Sequence, residues 1–315
     1  MMSRREWAVV SGLAVGIGIA CLRLEGGYDA YYVFFNLQVK TVPAWVHLFL
    51  RPFSIFPWPW SWALMSVVTV LVLAWVAQSL GGRWWYVVLS LPVLWEIWSG
   101  QIEWLVALGL ALALFAVERK ISPLWLGIAW LMMASKPWVV SGLLVVITWW
   151  AFRNLSYLEF FMAFSITTAI VVLTFLIWPH WVSSWINYSG DTVMDELNGA
   201  VWPWGLASWA AVPGAKDRHS LLRRVAAASL LSSPYLRLYH ATVLMVLINN
   251  PALGVFGWSL GWLILITGAF GQNWRSLAWV LPLGVLLVDR FGDKYLTSIQ
   301  LFWKKIIDER QQVHE

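Results

Sequence analysis

Long apolar stretches alternate with short polar or charged segments along almost the whole chain. Stretches of this kind are typical of membrane-spanning helices. Residues 225–250 are too polar for one plain span, so we expect a break at Ser232-Ser233-Pro234. Residues 45–60 hold three prolines, which favours an interfacial segment. The remaining pattern predicts helices over residues 7–22, 61–80, 84–98, 102–117, 123–134, 137–152, 158–178, 198–212, 253–270 and 277–288.

Composition places the chain among membrane proteins. Its 315 residues are 60% hydrophobic and only 12% charged, and the mean hydropathy is +0.70. Soluble domains carry about 25% charged residues. A core of this size cannot hide so much apolar surface from water, so lipid is the predicted solvent. The net charge of +5 comes from basic residues at segment ends, which is typical of helix orientation and not of nucleic-acid binding.

The predicted fold class is an all-α polytopic membrane protein of about 10–12 transmembrane segments. We expect one transmembrane domain over residues 1–292 and an amphipathic cytoplasmic tail over residues 293–315. Arg4 and Arg5 place the N-terminus in the cytoplasm, and the spans return the C-terminus to the same side. The predicted location is therefore the plasma (inner) membrane.

Several predicted spans are short or broken. A helix of about 15 residues covers about 22 Å, less than the ~30 Å of a bilayer core. Irregular backbone at membrane depth is tolerated only where protein or a watery cavity covers it. The breaks fall on the external side, so the sequence predicts an external cavity.

Residues 99–137 organise the predicted site. Two apolar arms are joined by the charged turn Glu118-Arg119-Lys120, and the outer ends carry Gln101, Glu103 and Lys136. A bilayer normally rejects such residues, so an ionisable group there indicates function. We expect these side chains to line a reaction site at one membrane face.

Three helix starts are predicted on the external side, at Gly100, Pro137 and Pro234. Proline fits the first position of a helix, and Ser233 is the predicted cap before Pro234. Helix N-termini present unpaired N–H groups and the positive end of the helix dipole. Three of them around one cavity predict an anion site, for which a lipid-linked phosphate is the natural ligand.

Cations add to that prediction. Lys136 and Arg237 would supply full positive charges. Arg237 and His240 are three residues apart and would share a helical face, beside Tyr235 and Tyr239. Interfacial anchoring of the two cations and simple packing of His240 are the alternatives.

Asp29 is the predicted general base. It lies in the first external loop between aromatic residues, in the run Tyr28-Asp29-Ala30-Tyr31-Tyr32. Partial desolvation by aromatic rings raises the pKa of a carboxyl and makes it a better base at neutral pH. Glu25, Glu96 and Glu103 are alternative acids.

A metal is not required by this chemistry. The single cysteine, Cys21, excludes an intrachain disulfide framework and a thiolate metal site. Asp191, Asp195 and Glu196 form a predicted solvated acidic loop, although a carboxylate pair there is able to hold a divalent cation.

Three motifs resemble the GT-C membrane glycosyltransferases, most closely glycosyltransferase family 87, which includes polyprenyl-phosphate-mannose-dependent mannosyltransferases. Tyr28-Asp29-Ala30-Tyr31-Tyr32 is similar to the aspartate and paired tyrosines of that family's first external loop. Gly100-Gln101, then an apolar helix, a basic turn, a second helix and Lys136-Pro137, resembles the family's G-Q … K-P block. Ser233-Pro234 with His240 six residues later resembles its S-P-x-S-W-x-H-H motif.

The resemblance implies a GT-C-like bundle that moves a mannose-like hexose or a pentose from a polyprenyl-phosphate donor to a lipid or glycan acceptor. It implies that Asp29 is the catalytic base and that His240 lies at the donor phosphate or the base. Inverting displacement at the external face is the expected mechanism. The predicted substrate-binding residues are Gln101, Glu103, Lys136, Arg237, Tyr32 and Ser233.

Two other classes remain open. Leu236, Arg237 and Tyr239 replace the second serine, the tryptophan and the first histidine of the third motif. This favours a non-catalytic subunit on a degenerate scaffold, which would co-purify with a larger membrane complex. Broken helices are also typical of transporters and flippases, but these often carry an internal repeat, and the sequence shows none.

Overall fold

The computed structural model describes residues 2–35, 42–193, 198–268 and 274–292. Within these ranges the protein is helical and contains no strand, so the predicted all-α class is confirmed there. The predicted tail, residues 293–315, lies outside the described residues, as do Asp195 and Glu196 of the predicted acidic loop.

The α-helices follow the predicted order closely. They are α1 Arg4–Cys21, α2 Trp45–Leu50, α3 Trp60–Ser79, α4 Trp84–Val88, α5 Leu91–Ser99, α6 Glu103–Val117, α7 Trp125–Met133, α8 Pro137–Asn154, α9 Tyr157–Ile177, α10 Trp181–Val193, α11 Arg218–Leu231, α12 Thr242–Val246, α13 Pro251–Gly268 and α14 over residues 280–292. Shorter turns of 3₁₀-helix cover Phe53–Ile55, Trp204–Ala211, Leu238–Ala241 and Trp274–Leu277, and Ala30–Phe35 is a π-helix.

Helix α6 lies at the centre of the fold. Most of its residues are buried, and it packs against α3, α7, α8 and α12. Gly109 allows the close approach of α7, because a Cβ there would lie 2.7 Å from the Cβ of Met132. The α6–α7 pair is the predicted hairpin, and its two outer ends, Glu103 and Lys136, come together.

Among the residues that the structure describes, two helices, α3 and α9, are long and apolar enough to cross a bilayer. They differ in their surroundings: 61% of the apolar window of α3 is buried inside the protein, but only 11% of that of α9. Leu158, Phe161 and Leu176 are among the exposed side chains of α9. Large exposed apolar residues also lie on α1, α8 and α13.

The predicted helix over residues 84–98 is wrong as one span. It breaks at Ser90, whose backbone is extended, and resumes as α5 with Pro92 in its first turn. Pro92 has no N–H to donate to the carbonyl of Val88, and its ring would clash with that carbonyl in a continuous helix.

The predicted helix over residues 198–212 is also wrong. Only Trp204–Ala211 is helical, as a 3₁₀-helix of 8 residues, which spans about 16 Å. Asn198 holds the preceding chain in a turn, because its side-chain oxygen accepts from the N–H groups of Ala200 and Leu236. Pro203 then supplies no N–H for an α-helical bond.

Candidate functional site

The turn between α5 and α6 brings Gln101 to Asp29. Gly100 ends α5 with a φ of +74°, a left-handed conformation that glycine adopts without strain. A Cβ on Gly100 would lie 2.6 Å from the Cβ of Ala30, so only glycine allows this close approach. The N–H of Gly27 donates to the carbonyl of Trp98 at 2.7 Å, so the segment that carries Asp29 is held against the end of α5.

A chain of side-chain contacts runs inward from Asp29. The amide nitrogen of Gln101 donates to Asp29, and its oxygen accepts from the ammonium of Lys136. The same ammonium donates to Glu103 in a buried ion pair, and it lies 4.8 Å from the ring centre of Tyr239. Because lysine only donates and a carboxylate only accepts, the amide of Gln101 is held in one orientation.

His240 closes the inner end of this chain. Its Nδ1 accepts from the backbone N–H of Arg237 at 3.1 Å, so the proton of the neutral ring lies on Nε2. The Nε2 atom faces Glu103 Oε1 at 3.7 Å, which is longer than a hydrogen bond. The rings of Tyr239 and Tyr235 pack edge-on against the imidazole at 4.7 and 5.5 Å.

Glu96 has a structural contact beside the same cluster. Its Oε1 accepts from the backbone N–H of Trp104 at 2.7 Å. Trp104 is the second residue of α6, so Glu96 satisfies one of the N–H groups at the start of that helix. The predicted anion site therefore does not have that N–H available.

The carboxyl of Asp29 is the half-buried group at the outer end of the cluster. Burial raises its pKa above the usual value for aspartate. The hydrogen bond from Gln101 and the charges of Lys136 and Arg237 oppose that rise. Arg237 is thus close enough to act on Asp29, and its guanidinium lies 5.5 Å from the ring centre of Tyr235.

The structure therefore brings together five of the predicted site residues, Asp29, Gln101, Glu103, Lys136 and His240. Arg237 lies beside them. Tyr32 is exposed and packs edge-on against Tyr31, which in turn contacts Trp58. The alternative acid Glu25 is exposed.

Pro234 does not begin a helix, so this part of the predicted anion site is wrong. The helical turn starts at Leu238, after Arg237 in extended conformation. Asn198 holds the intervening segment by donating to the carbonyl of Pro234 and accepting from the N–H of Leu236. The hydroxyl of Ser233 donates to the Tyr235 carbonyl at 2.6 Å, so it shapes this loop and caps no helix.

A second buried polar cluster was not predicted. Arg223 and Arg224 of α11 both bind the carboxylate of Asp289 on α14, at 2.6 and 2.8 Å. The sequence carried a signal for it, because Asp289 is an acid in an otherwise apolar segment. In the described part of the chain, no group of three or more His, Cys, Asp or Glu side chains is placed to hold a metal ion.

Comparison with known proteins adds no relative. The chain matches no family model, no curated protein and no solved structure.

Proposed function

We propose that this protein is a multi-pass membrane glycosyltransferase of the plasma (inner) membrane. It transfers a sugar from a polyprenyl-phosphate donor to a lipid or glycan acceptor at the external face. The observation that carries the proposal is the contact chain from Asp29 through Gln101 to Lys136. It presents one oriented, half-buried carboxylate at the edge of a buried polar cluster in a strongly apolar protein.

Membrane embedding is supported by the outward faces of the helices. Val145 and Trp149 of α8, and Leu158 and Leu176 of α9, are more than half exposed. Water would make such a surface costly, since burial of apolar area is worth about 25 cal/mol per Å². Exposed apolar patches of this extent are typical of surfaces that contact lipid or a protein partner.

Asp29 is suited to proton removal. Burial raises the pKa of its carboxyl, so the ionised form is a stronger base than a solvated aspartate. The hydrogen bond from Gln101 holds one carboxylate oxygen. The other oxygen is then the one to accept the proton of an acceptor hydroxyl.

The reaction is a single displacement. As Asp29 takes the hydroxyl proton, the acceptor oxygen forms a bond to the anomeric carbon of the donor sugar. The bond from that carbon to the phosphate oxygen breaks, and the lipid phosphate leaves with the electron pair. Attack from the opposite face inverts the anomeric centre.

Lys136 and Arg237 have different roles in this proposal: Lys136 orients Gln101, and Arg237 stabilises the departing phosphate. Lys136 is 4% exposed, and its ammonium donates to Gln101 and Glu103, so its role is to orient Gln101. Arg237 is half-buried and closer to the surface, which favours it as the cation that stabilises the departing phosphate. His240 positions Arg237 through the hydrogen bond to its backbone.

The test is transfer from a radiolabelled polyprenyl-phosphate sugar in membranes that contain the Asp29→Asn variant. We expect transfer to fall about 10²–10⁴-fold, the usual contribution of a general base. Glu25→Gln is the matched control, because Glu25 is an exposed acid of the same segment, and it should keep full activity. Near-normal transfer by a folded Asp29→Asn protein would remove the assignment.

A non-catalytic subunit is the second candidate. It is favoured by the buried Lys136–Glu103 pair, because an ion pair closed off from solvent is also what a purely structural cluster shows. Such a subunit would transfer no sugar alone and would co-purify with a membrane complex. Activity of the purified chain alone excludes it.

A further inference from the structure

The ammonium of Lys136 has a third contact, which the proposed function does not use. It lies over the ring of Tyr239, 4.8 Å from the ring centre. The face of an aromatic ring carries negative charge density and attracts a cation that lies within about 6 Å of its centre. Both side chains are buried, so water screens this attraction little.

The ring accounts for the hydrogen-bonding capacity of the ammonium. A lysine ammonium has three N–H donors and accepts nothing. In the part of the chain that the structure describes, it donates to the side-chain oxygens of Gln101 and Glu103. These two bonds leave one N–H, and the face of the Tyr239 ring is the contact available to it.

Three contacts fix the ammonium where two would not. The lysine side chain is a flexible four-carbon stem, and the charged carboxylate of Glu103 attracts its ammonium more strongly than the neutral amide of Gln101 does. The ion pair alone therefore allows the ammonium to turn about Glu103 and away from the amide. The ring of Tyr239 opposes that movement, because leaving Gln101 would also take the cation off the ring face.

The fold holds Tyr239 in place beside the amide. Tyr239 lies in the 3₁₀ turn Leu238–Ala241, which packs against α5. Gly100 ends α5, and Gln101 follows it directly, so the ring and the amide are both fixed to this helix. The imidazole of His240 lies at 87° to the Tyr239 ring, with 4.7 Å between the ring centres.

We propose that Tyr239 is a positioning residue, whose ring holds the ammonium of Lys136 against Gln101 and thereby orients the carboxylate of Asp29. Its effect on sugar transfer rests on the proposed function, but the contact and its effect on Asp29 are measurable without transfer. Simple packing of a buried tyrosine is the alternative. The two differ because packing depends on the shape of the ring, whereas attraction to a cation depends on the charge density of its face.

The first experiment varies that charge density in the full chain, purified in neutral detergent. Position 239 carries phenylalanine or its analogues with one, two or three ring fluorines, introduced during translation. Fluorine withdraws charge from the ring face and changes the ring size little, so the attraction to Lys136 weakens stepwise. We expect the melting temperature to fall with each added fluorine.

The control series removes the cation. The double variant Lys136→Met/Glu103→Gln carries neither charge of the buried pair, so the same analogues at position 239 should leave its melting temperature unchanged. Equal falls in the two backgrounds would show that fluorine acts through packing and would overturn the proposal. A melting temperature that does not change with fluorine in the unsubstituted background would overturn it as well.

The second experiment follows the Asp29 carboxyl directly. Infrared titration of the chain labelled with ¹³C-aspartate reports its ionisation, and the Asp29→Asn variant identifies its band. Burial raises the pKa of this carboxyl, and the Gln101 hydrogen bond and the charges of Lys136 and Arg237 oppose that rise. Tyr239→Leu weakens the hold on Lys136 and on Gln101, so the pKa of Asp29 should rise further.

Two controls separate orientation from loss of a buried ring. Tyr239→Phe keeps the ring and should leave the titration of Asp29 where it is. Tyr86→Leu removes a buried tyrosine of α4, whose hydroxyl donates to the Ile248 carbonyl, and should also leave it unchanged. An unchanged Asp29 titration in Tyr239→Leu would overturn the positioning role. If Tyr239→Leu fails to fold, the trifluorinated analogue takes its place in this titration.

Transfer assays connect the contact to the reaction. Tyr239→Leu should lower transfer by at most about tenfold, the loss expected without Gln101, and Tyr239→Phe should keep most of it. In the Gln101→Leu background Tyr239→Leu should cost nothing more, since residues that act through one contact are not additive. Additive losses would overturn the proposal. If no variant and no unsubstituted chain transfers sugar, the transferase proposal fails, and the fluorine series and the Asp29 titration still decide this one.

Discussion

The side-chain amide of Gln101 donates a hydrogen bond to the carboxylate of Asp29, across 72 positions of the chain. This contact fixes the orientation of the proposed base. It depends on Lys136, which holds the other end of the same amide. The first three predictions test this arrangement.

Replacing Gln101 by leucine should lower transfer about tenfold, because it removes one hydrogen bond to a charged group and the orientation that the bond provides. Gln78→Leu is the matched control, since Gln78 lies near the end of α3, about 24 Å along the helix from Trp62, which packs against Gly27. Sugar transfer by both variants is measured at equal protein level. A Gln101→Leu enzyme as fast as Gln78→Leu would show that the contact has no catalytic part.

The pH dependence of transfer should report the carboxyl of Asp29. Because burial raises its pKa, activity should fall on the acid side at a pH above the usual aspartate range. Loss of Gln101 removes a contact that lowers this pKa, so the acid limb of Gln101→Leu should move to still higher pH. Transfer rates over a pH series measure the acid limb of the unsubstituted protein and that of Gln101→Leu. An acid limb that moves to lower pH in Gln101→Leu would contradict the assignment.

The raised pKa also predicts a stability effect. Burial disfavours the ionised form of Asp29 in the folded protein. The carboxyl of Asp29 therefore stabilises the folded state increasingly as the pH falls through its folded pKa. Asp29→Asn should therefore keep or slightly raise the melting temperature near neutral pH. Thermal unfolding at several pH values measures this, and a strongly destabilised Asp29→Asn protein would indicate a structural role instead.

The Lys136–Glu103 pair should behave as a buried ion pair. Lys136→Met leaves the carboxylate of Glu103 buried without its cation, and we expect a loss of about 3–5 kcal/mol. The double variant Lys136→Met/Glu103→Gln removes both charges and should recover much of that stability. Denaturation of the two single variants and the double variant measures the coupling. Additive losses would show that the two side chains do not depend on each other.

Two glycines test the packing of the fold. A Cβ at Gly205 would lie 1.7 Å from the carbonyl oxygen of Leu231, so Gly205→Ala should destabilise the protein by more than about 1 kcal/mol. Gly16 in α1 has nothing within 4 Å of its Cβ position, so Gly16→Ala should stabilise by up to about 1 kcal/mol. Thermal unfolding of Gly205→Ala and Gly16→Ala measures the two changes in stability. Equal effects would show that Gly205 is not packed against Leu231.

Local pattern was sufficient for most helix bounds. Apolar length predicts a helix over residues 158–178, and α9 covers Tyr157–Ile177. The same reasoning failed for residues 84–98 and 198–212, because apolar length takes no account of the missing N–H groups of Pro92 and Pro203, which interrupt an α-helix. The number of membrane spans stays a prediction.

The sequence by itself determined the all-α class of the residues that the structure describes, and the polar residues worth examining. Long apolar stretches favour helices, since backbone groups in apolar surroundings must be paired within the segment, and polar residues are costly in such surroundings. The sequence therefore indicated that Asp29, Gln101, Glu103 and Lys136 are functional candidates, but it did not show which side chains they contact.

Only the tertiary structure decided how those residues pair. In the structure the ammonium of Lys136 donates to Gln101 and Glu103. Glu96 accepts from the backbone N–H of Trp104 at the start of α6, and Arg223 forms an ion pair with Asp289. Such pairings depend on which helix faces meet. Residue spacing along one helix cannot specify a contact between helices that are far apart in the chain, because packing of the whole bundle sets that distance.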